Sequence, residues 1–455
     1  MSIKDLDVPV SAVQTSAGRG SRIKPLNMSS ESQAFPKGLI RIMGNPIAEI
    51  QMEQFKAAQL TKLYVITQYL ENRHFLSERY SDGSRFGMKI RYSYPKDDEV
   101  NNGSGDAILR NIEKKHLKGH SIVLANDNLY EYDAEEVLRN HIASGAAISI
   151  MTVRIPAMET IATYGIVETD ETKRVTRLVE KPEGIEGLVE FFRTDDVAKI
   201  RQAHCKINTA GYIINNEWLE HLAQNEPWIK EGRAAKYPDG SNGFDMAGSL
   251  LTGLITANHP IQTIPIDNWG DFGSCSFFLD TFIRVLEGAF PSVYKILKNQ
   301  GYWHDPEKNV WIHPTTLELP NNEGKTLQQR IEEGKVKIGP NVFIGRETII
   351  EDGVEIRNSD IEKYAAIRKG AKIEKAYVAQ FGTIGSHATI RACALGLGVT
   401  VLSTEERKSL VNGRSVIGPE VKIPPGTSIY ETKVFPGYKF DENNSKVYRG
   451  MELVA

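Results

Sequence analysis

The sequence predicts an α/β fold that is followed by a left-handed parallel β-helix. Over residues 1–280, short apolar runs alternate with amphipathic stretches, which is typical of a Rossmann-like, mostly parallel sheet with helices on both faces. From residue 336, isoleucine instead recurs about every six residues, a period that fits neither an amphipathic helix nor an isolated strand. A hexapeptide repeat is typical of a β-helix, in which each hexad forms one face of a triangular coil. We therefore predict one domain over 1–280, a connector over 281–335 and a β-helix domain over 336–455.

The elements of the first domain alternate between strands and helices. In chain order we predict a strand over 8–13, a glycine turn over 17–20, a helix over 46–59, strands over 63–67 and 121–125, a helix over 133–144 and a strand over 147–153. Asp133 has the position and residue type of an N-cap for the helix that follows it. Because parallel sheets bind ligands at the carboxyl ends of their strands, we expect functional residues in the loops that follow strands.

The six-residue repeat extends over most of the last predicted domain. The repeating isoleucines are Ile338, Ile344, Ile350, Ile356, Ile361, Ile367, Ile373, Ile384, Ile390, Ile417, Ile423 and Ile429. The pattern is interrupted at 391–416, and we expect the polar stretch 403–408 to loop out of the coil. A succession of β-hairpins is the alternative interpretation of these residues.

The composition excludes several classes of protein. The 455 residues carry 55 Lys and Arg against 58 Asp and Glu, a formal net charge of −3, so no overall positive field is available to bind nucleic acid or anionic lipid. No apolar run reaches the roughly 18 residues of a membrane span, and no signal peptide is evident. Cys205, Cys275 and Cys393 are odd in number and far apart, which argues against a disulfide framework. We expect a cytoplasmic enzyme that binds neither nucleic acid nor membrane.

A glycine-bearing segment follows the first predicted strand. Gly18 and Gly20 would let the backbone approach an oxyanion closely, and exposed N–H groups there, including that of Ser21, could bind phosphate. Arg22 adds a planar guanidinium that can bind phosphate in a bidentate manner. The segment completes neither G-x-G-x-x-G nor the P-loop pattern. A plain turn between a strand and a helix is the alternative interpretation.

The residues after this loop add a family resemblance. The order of the glycine loop, Arg22, Pro36-Lys37-Gly38 and the later Gly44-x-Pro46 resembles the N-terminal signature of the sugar-1-phosphate nucleotidylyltransferases, the pyrophosphorylases that make nucleotide sugars. The sequence departs from the family pattern at Gln14-Thr15-Ser16-Ala17, and the spacing between Arg22 and Lys37 is several residues longer than usual. The resemblance implies that Arg22 and Lys37 are catalytic and that Gly18, Gly20 and Ser21 bind the nucleotide.

Two aspartates are candidate metal ligands. Asp127 directly follows an apolar strand, and Asp271 lies in Trp269-Gly270-Asp271-Phe272-Gly273; both resemble metal-binding aspartates of the family. Mg²⁺ prefers oxygen ligands and commonly takes one or two carboxylates together with substrate phosphates. The resemblance therefore implies Mg²⁺ as the cofactor. An aspartate after a strand can also be a turn former or an N-cap.

Further motifs resemble the sugar and base contacts of the family. Tyr164-Gly165-Ile166-Val167 is followed by Glu180-Lys181-Pro182 and later by Asn208-Thr209-Ala210-Gly211. The resemblance implies that Gly165, Glu180 and Asn208 bind the sugar and that Lys181 neutralises its phosphate. The residue types also fit solvated turns. Gly103-Ser104-Gly105-Asp106 occupies the place of the family's turn beside the nucleobase, so that Gly103 and Asp106 are candidate nucleotide contacts.

The resemblance implies an enzyme that joins a nucleoside triphosphate and a hexose 1-phosphate. Asp106, the Arg-Gly-Ser-Arg run of residues 19–22 and the triplet of residues 67–69 resemble the adenylyltransferase branch, which favours ATP and glucose 1-phosphate. Residues 36–46 resemble other branches, such as the mannose-1-phosphate guanylyltransferases. Two other classes stay open: an acyltransferase that uses His387 on the coil, and a nucleotide-sugar-sensing regulatory subunit without catalysis. We expect a homo-oligomer by analogy with other β-helix proteins.

Overall fold

The computed structural model describes residues 8–16, 18, 20–67, 70–93, 102–235, 243–441 and 446–455. Ala17 and Arg19 of the predicted glycine turn, and the second and third residues of the triplet 67–69, lie outside the described residues. The chain divides into two compact units, the first formed by Met1–Gly18, Gln51–Asn126 and Tyr130–Trp269, the second by Arg19–Ile50, Asp127–Leu129 and Gly270–Ala455. Segments 19–50 and 127–129 thus group with the C-terminal part of the chain, and the domain limits at residues 280 and 335 stay predictions.

The strands of the first part of the chain agree closely with those predicted from the alternation of apolar runs. In chain order they are β1 (Val10–Ser16), β2 (Arg41–Ile42), β3 (Asn45–Pro46), β4 (Lys62–Thr67), β5 (Lys89–Tyr92), β6 (His120–Ala125), β7 (Asn128–Glu131), β8 (Ile148–Pro156), β9 (Ile166–Thr169), β10 (Val175–Val179), β11 (His204–Asn215), β12 (Ile261–Pro265) and β13 (Asn268–Asp271). The strands predicted over 8–13, 63–67, 121–125 and 147–153 correspond to β1, β4, β6 and β8.

The helices complete the α/β pattern and include the two predicted ones, observed as Ile47–Ala57 and Ala134–Ser144. The other α-helices are Leu70–Tyr80, Ser104–Lys115, Gly184–Phe192, Val197–Gln202, Asn216–Asn225, Pro227–Ala234, Thr252–Thr256, Cys275–Leu286, Pro291–Asn299, Pro314–Leu317 and Leu327–Glu332, and Met246–Leu251 is a π-helix. Asp133 is an N-cap as predicted, because its carboxylate accepts hydrogen bonds from the backbone N–H groups of Glu135 and Glu136. Throughout the described ranges, no helix combines the length and the apolar character needed to cross a bilayer.

The sheet of the first unit is parallel at its centre and antiparallel toward one side. Its strands run in the order β10-β9-β11-β6-β1-β4-β5, and β8 joins β11 and β12. β1 is parallel to both β4 and β6, whereas β11 is antiparallel to β6, β8 and β9. The prediction of a mostly parallel sheet is thus confirmed for strands β6, β1, β4 and β5. The complete sheet is mixed, because β11 is antiparallel to its neighbours. Since β1 and β6 are parallel neighbours, the loops that follow both leave the same edge, as expected for a ligand site.

The C-terminal part of the second unit consists of short strands that stack in parallel, except that the first two pair antiparallel. They are β14 (Trp303–Asp305), β15 (Val310–Ile312), β16 (Lys337–Ile338), β17 (Val342–Ile344), β18 (Ile349–Ile350), β19 (Glu355–Arg357), β20 (Ser359–Ile361), β21 (Ala366–Ile367), β22 (Lys372–Val378), β23 (Thr383–Ile384), β24 (Thr389–Leu395), β25 (Thr400–Val401), β26 (Leu410–Asn412), β27 (Val416–Ile417), β28 (Lys422–Ile423), β29 (Ser428–Tyr430), β30 (Lys433–Val434), β31 (Val447–Arg449) and β32 (Glu452–Leu453). Ile356, Ile373 and Ile390 lie directly beside one another on β19, β22 and β24.

The repeating isoleucines fill the interior of this region, as their spacing predicts. They are buried and form one apolar core together with small residues such as Ala371 and Val421. The parallel pairing from β16 to β32 is compatible with a parallel β-helix and contradicts the alternative of successive hairpins. The hand of the coil stays a prediction. β15, in the predicted connector, pairs in parallel with β17, so that at least this part of the connector continues the coil.

At 391–416 the isoleucine pattern is interrupted, but the coil continues. Leu395, Val401 and Val411 are fully buried and occupy the interior in place of isoleucine. Residues 404–408 are exposed and contain no strand, as predicted, whereas Ser403 is buried and its Oγ accepts from the N–H of Ser409. The sequence pattern failed here because leucine and valine fill the same interior space as isoleucine.

Candidate active site

The glycine loop of the second unit has a backbone conformation that requires glycine. Gly20 has a φ of 68° and precedes the short 3₁₀ helix Ser21–Ile23. A Cβ atom on Gly20 would lie 2.6 Å from Nδ2 of Asn27 and 3.1 Å from Cγ of Lys37, so a side chain would clash as well as strain the backbone. Ser21 and Arg22 are exposed. The predicted phosphate loop is therefore a tight turn with an accessible hydroxyl and an accessible guanidinium.

Lys37 lies beside this loop and forms an ion pair with Asp127. It begins the short helix Lys37–Leu39, and its Nζ donates to Oδ2 of Asp127. The side chains retain 13% and 20% exposure, respectively, so both groups can still be reached by a small ligand. These residues are 90 positions apart in the chain, and the structure brings them together as the family resemblance implies.

Asp271 lies next to Asp127. The backbone N–H of Phe272 donates to the carbonyl oxygen of Asp127 at 3.2 Å, and the N–H of Gly273 donates to Oδ1 of Asp271. Burial raises the pKa of Asp271 above its ordinary value, and the negative charge of Asp127 raises it further. Lys37 and Arg22 act in the opposite direction on the pKa of Asp271. The two carboxylates therefore repel each other and share Lys37 as a cationic neighbour.

This pair of carboxylates fits a divalent cation that is completed by substrate. Within the described residues, no group of three or more His, Cys, Asp or Glu side chains is arranged to hold a metal. Two aspartate carboxylates provide the hard oxygen ligands that Mg²⁺ prefers, and Mg²⁺ commonly takes its other ligands from phosphates and water. A bound divalent cation would also offset the repulsion between Asp127 and Asp271.

The predicted sugar contacts form a second group, within the first unit. The N–H of Asn208 donates to the carbonyl oxygen of Gly165 at 2.8 Å, and a Cβ atom on Gly165 would lie 2.5 Å from Oε2 of Glu180. Gly165 therefore leaves room for the Glu180 carboxylate. Partial desolvation raises the pKa of Glu180, and the Lys181 ammonium, 3.7 Å away, lowers it. Lys181 is exposed, with a positive φ of 47°, a conformation that is uncommon for a side chain of this type.

Asp106, predicted as a nucleotide contact, forms a buried structural ion-pair network. It is fully buried in the helix Ser104–Lys115 and accepts from Nε of Arg110 and Nε of Arg233, both at 2.7 Å. Oδ2, which accepts from Arg110, also accepts from the N–H of Asn102 at 3.1 Å. Because the carboxylate is enclosed by these donors, the geometry favours a role in fixing the helix over a direct contact with a base. Gly103 precedes this helix with a φ of 104°, which only glycine adopts readily.

The models of two known protein families match most of the chain. Residues 12–287 match the model of the family described as Nucleotidyl transferase. The chain belongs to this family. Residues 328–447 match the model described as the GMPPB C-terminal domain. The two matches confirm the resemblance to the sugar-1-phosphate nucleotidylyltransferases and the prediction of an enzyme.

Curated relatives align over most of this nucleotidyl transferase. The UTP–glucose-1-phosphate uridylyltransferase of Synechocystis sp. is 24% identical over 378 residues, covering 80% of the chain and 85% of the relative. Glucose-1-phosphate adenylyltransferase 2 of Pseudoalteromonas atlantica is 24% identical over 450 residues, covering 90% of the chain and 98% of the relative. The glucose-1-phosphate adenylyltransferase of Corynebacterium diphtheriae is 23% identical, with 86% of each chain covered.

The two departures from the family signature have structural explanations in this nucleotidyl transferase. Gln14 is buried, and its Nε2 donates to Oε1 of Gln51 at 2.9 Å, while Nε2 of Gln51 donates to the carbonyl oxygen of Ala125. The polar residue is therefore satisfied within the sheet. The longer stretch before Lys37 closes on itself, since Phe35 and Asn27 exchange hydrogen bonds of 2.8 and 3.0 Å. These two hydrogen bonds close a loop over residues 27–35, ahead of Lys37.

Two functional neighbours were missed by the sequence analysis. Asn27 is buried beside Gly20 and Lys37, and no motif distinguishes it. Asp245 caps the π-helix Met246–Leu251, and its negative charge raises the pKa of Glu180. A π-helix has no sequence signature of its own, although such helices occur frequently at functional sites.

Gly18 lies in the first unit, apart from the other members of the predicted loop. It is exposed, and its carbonyl oxygen accepts from Nδ2 of Asn72 at 3.3 Å. This hydrogen bond fixes the end of the loop that leaves β1. That the N–H of Gly18 binds the nucleotide stays a prediction.

Proposed function

We propose that this nucleotidyl transferase couples a nucleoside triphosphate to a hexose 1-phosphate, with ATP and glucose 1-phosphate as the first choice. The observation that carries the proposal is the cluster of Arg22, Lys37, Asp127 and Asp271, which combines two cations with two carboxylates. Phosphoryl chemistry between two anions depends chiefly on charge neutralisation and positioning, which such a cluster can supply. The names of the relatives, glucose-1-phosphate adenylyl- and uridylyltransferases, support this substrate class.

In the proposed reaction, an oxygen of the sugar 1-phosphate attacks the α-phosphorus of the triphosphate in line. A new phosphorus–oxygen bond forms, the bond from the α-phosphorus to the bridging oxygen of the β-phosphate breaks, and pyrophosphate leaves. Arg22 and Lys37 would bind the β- and γ-phosphates, and the N–H groups of Gly18, Gly20 and Ser21 would bind phosphate oxygens. Lys37 would then exchange its ion pair with Asp127 for the phosphates, since one ammonium group cannot neutralise both.

Asp127 and Asp271 would hold Mg²⁺, which when bound supplies positive charge to phosphate oxygens. On the sugar side, Glu180 and Asn208 would accept hydrogen bonds from hydroxyl groups, beside the space left by Gly165. Lys181, which is exposed, would neutralise the sugar phosphate. Gly103 is the remaining candidate contact to the base.

A panel of triphosphates and sugar 1-phosphates tests the proposal. We expect pyrophosphate release with Mg²⁺ and the highest kcat/KM with ATP and glucose 1-phosphate. The alternative of the same family, GTP with mannose 1-phosphate, rests on residues 36–46 and is one arm of the panel. Removal of Mg²⁺ with EDTA should abolish the release, and added Mg²⁺ should restore it. No release with any pair would contradict the proposed function and favour a sensor, and acetyl transfer from acetyl-CoA to an amino sugar would favour an acyltransferase.

We further propose that the coil is left-handed and that the protein is a homo-oligomer of the cytoplasm. The parallel strand pairing supports the first point only as far as a β-helix. Multi-angle light scattering measures the oligomeric state directly, and a mass of one chain would contradict that part of the proposal.

A further inference from the structure

A strained hairpin follows Lys37 within the second unit. β2 and β3 pair antiparallel with Ile42 opposite Asn45, and the two turn residues, Met43 and Gly44, have φ values of 44° and 80°. This is the type I′ geometry, in which Asn or Gly is preferred at the first position and a methionine is unfavourable. Such a turn points consecutive N–H groups outward, and consecutive N–H groups attract anions.

Two carboxylates from the coil bind these N–H groups. The N–H of Met43 donates to Oδ2 of Asp360 at 2.7 Å, and the N–H of Gly44 donates to Oε1 of Glu362 at 2.9 Å. Nε of Arg41 donates to the second oxygen of Glu362 at 3.1 Å, and its Nη2 donates to the carbonyl oxygen of Gly44. Every residue in this group lies in the second unit.

The burial of these two carboxylates carries an unfavourable electrostatic free energy. Asp360 and Glu362 are both fully buried, and Oδ1 of Asp360 has no hydrogen-bond partner among the described residues. Two buried carboxylates opposite one guanidinium are not the composition that maximises stability, because buried charges lose their hydration. These contacts instead fix the geometry of the hairpin. The proposed mechanism gives Asp360 and Glu362 no other role.

The hairpin is connected to Lys37 by a short and rigid segment. The N–H of Ile40 donates to the carbonyl oxygen of Lys37 at 2.9 Å, and the N–H of Ile47 donates to that of Ile40 at 3.0 Å. Ile40 and Met43 are buried in the apolar core of the second unit. On the outer side, a Cβ atom on Gly44 would lie 2.9 Å from the ring of Phe343. A displacement of the turn would therefore be transmitted to the backbone of Lys37.

We propose that Asp360 and Glu362 are positioning residues, which fix the hairpin and through it the ammonium group of Lys37. The coil then takes part in catalysis by holding the lysine segment, in addition to contributing to the fold. This inference rests on the proposed function for the role of Lys37. Neither carboxylate is expected to contact substrate.

A double-mutant cycle between Glu362→Gln and Lys37→Ala tests this inference. Glutamine keeps the shape of the side chain but cannot accept from both Gly44 and Arg41 with a full negative charge. We expect Glu362→Gln to lower kcat/KM about 10- to 100-fold in the wild-type background and less than 3-fold in the Lys37→Ala background. An equal loss in both backgrounds would mean that Glu362 does not act through Lys37 and would overturn the inference.

A matched control and a second readout separate positioning from general stability. Glu374→Gln removes a carboxylate of the same coil that forms ion pairs with Arg357 and Arg391 and keeps 21% exposure, and it should change kcat/KM less than 2-fold. Reductive methylation of Lys37, followed by mass spectrometry, should be several-fold faster in Glu362→Gln than in the wild type. If Glu362→Gln does not fold, Asp360→Asn serves in the same cycle under the same criteria. Unchanged methylation in a folded variant overturns the inference.

The methylation readout is independent of turnover. If the wild type releases no pyrophosphate with any substrate pair, the proposed function fails, while faster methylation of Lys37 would still support the positioning of the lysine segment. If the wild type is active and the cycle is additive, the proposed function stands and the positioning role fails.

Discussion

At the scale of single residues, the two carboxylates beside Lys37 differ in how they are paired. One ammonium group pairs with Asp127, while Asp271 lies beside them with a raised pKa because of burial and the Asp127 charge. An arrangement of this kind holds its carboxylates ready for a cation of higher charge. Substitution of either aspartate by an uncharged residue should therefore lower the activity most, since the proposed reaction uses no side-chain nucleophile.

We expect Asp271→Asn to lower kcat/KM for pyrophosphate release by about 10²- to 10³-fold, because an amide binds Mg²⁺ more weakly than a carboxylate and leaves transition-state charge unbalanced. The measurement is a titration of initial rate against Mg²⁺ concentration for wild type and variant. Asp133→Asn is the matched control, since Asp133 is an N-cap and asparagine caps helices equally well. Wild-type turnover by Asp271→Asn would contradict the assignment of Asp271 as a metal ligand.

A buried histidine pair makes the first unit sensitive to acid. His141 is fully buried against His120, with ring centroids 5.0 Å apart, and its Nδ1 contacts Oγ of Ser149 at 2.8 Å. Burial, and secondly the charge of His120, lowers the pKa of His141 to about 3. Below the unfolded-state pKa of roughly 6.5 the unfolded chain therefore binds more protons than the folded one, so stability falls as the pH falls.

We expect the free energy of unfolding to decrease by about 1.4 kcal/mol between pH 7.5 and pH 5.5 through His141 alone. His141→Gln should remove this share of the pH dependence, although His120, whose pKa is also lowered by burial, retains its own. Urea denaturation at both pH values measures the effect. An identical pH dependence in His141→Gln would contradict this account.

At the scale of elements, the helix Ser104–Lys115 has a partner that residue patterns do not reveal. Asp106 is predicted as a nucleotide contact from its place in a glycine turn, and the structure adds an ion pair with Arg233, which is 127 residues away. Nothing local in the sequence indicates that partner. The strand-end position of Asp127 was predictable, in contrast, because an apolar run followed by an acidic residue is itself a local signal.

Asp106→Asn provides a direct test of the structural role. Loss of a buried carboxylate that faces two guanidinium groups should destabilise the first unit by about 3–5 kcal/mol, seen as a lower urea midpoint. In the fraction that remains folded, the ratio of kcat/KM values for ATP and GTP should stay within about 3-fold, or less than roughly 0.7 kcal/mol. A large change in this ratio with unchanged stability would instead favour the base contact.

The six-residue period of the coil could be predicted from the sequence, but not every residue that fills its interior. Isoleucine marks most turns, whereas Leu395, Val401 and Val411 continue the interior without it. Only the register of neighbouring strands, such as Val401 beside Ile423, identifies these positions. Packing selects for apolar volume, and several residue types supply it.

Removal of residues 404–407 should therefore leave the coil intact. The deletion shortens the step from Val401 to Val411 to six residues, the same as the step from Leu395 to Val401, and it removes only exposed side chains. We expect the free energy of unfolding to change by less than about 1 kcal/mol, since loop closure depends weakly on length. Ile423→Ala, in the same coil, should cost about 2–5 kcal/mol. A deletion as damaging as Ile423→Ala would show that the exposed loop has a structural role.

At the scale of the whole molecule, each compact unit is formed by segments that are not continuous in sequence. Residues 19–50, which carry Arg22 and Lys37, cluster with the C-terminal part of the chain. Their apolar side chains, including Ile23, Ile42 and Met43, share one core with Phe343 and Tyr377 of the coil. Long-range packing of this kind depends on shape complementarity across hundreds of residues, which one sequence does not display.

This shared core leads to a prediction about truncation. A chain that ends at residue 335 would lack five core residues of the coil, Phe343, Tyr377, Ala379, Ala394 and Val416, and would expose the apolar surface around the lysine segment. Because the loss of one large buried side chain already costs about 3–5 kcal/mol, we expect this chain to be insoluble or to release no pyrophosphate. A chain that ends at residue 441 loses β31 and β32, whose Tyr448 and Leu453 pack against the edge of the coil's own core. It keeps all of the core shared with the lysine segment, so it should retain more than half of the wild-type kcat/KM. Soluble, active protein from the shorter chain would mean that the lysine segment holds its geometry without the coil.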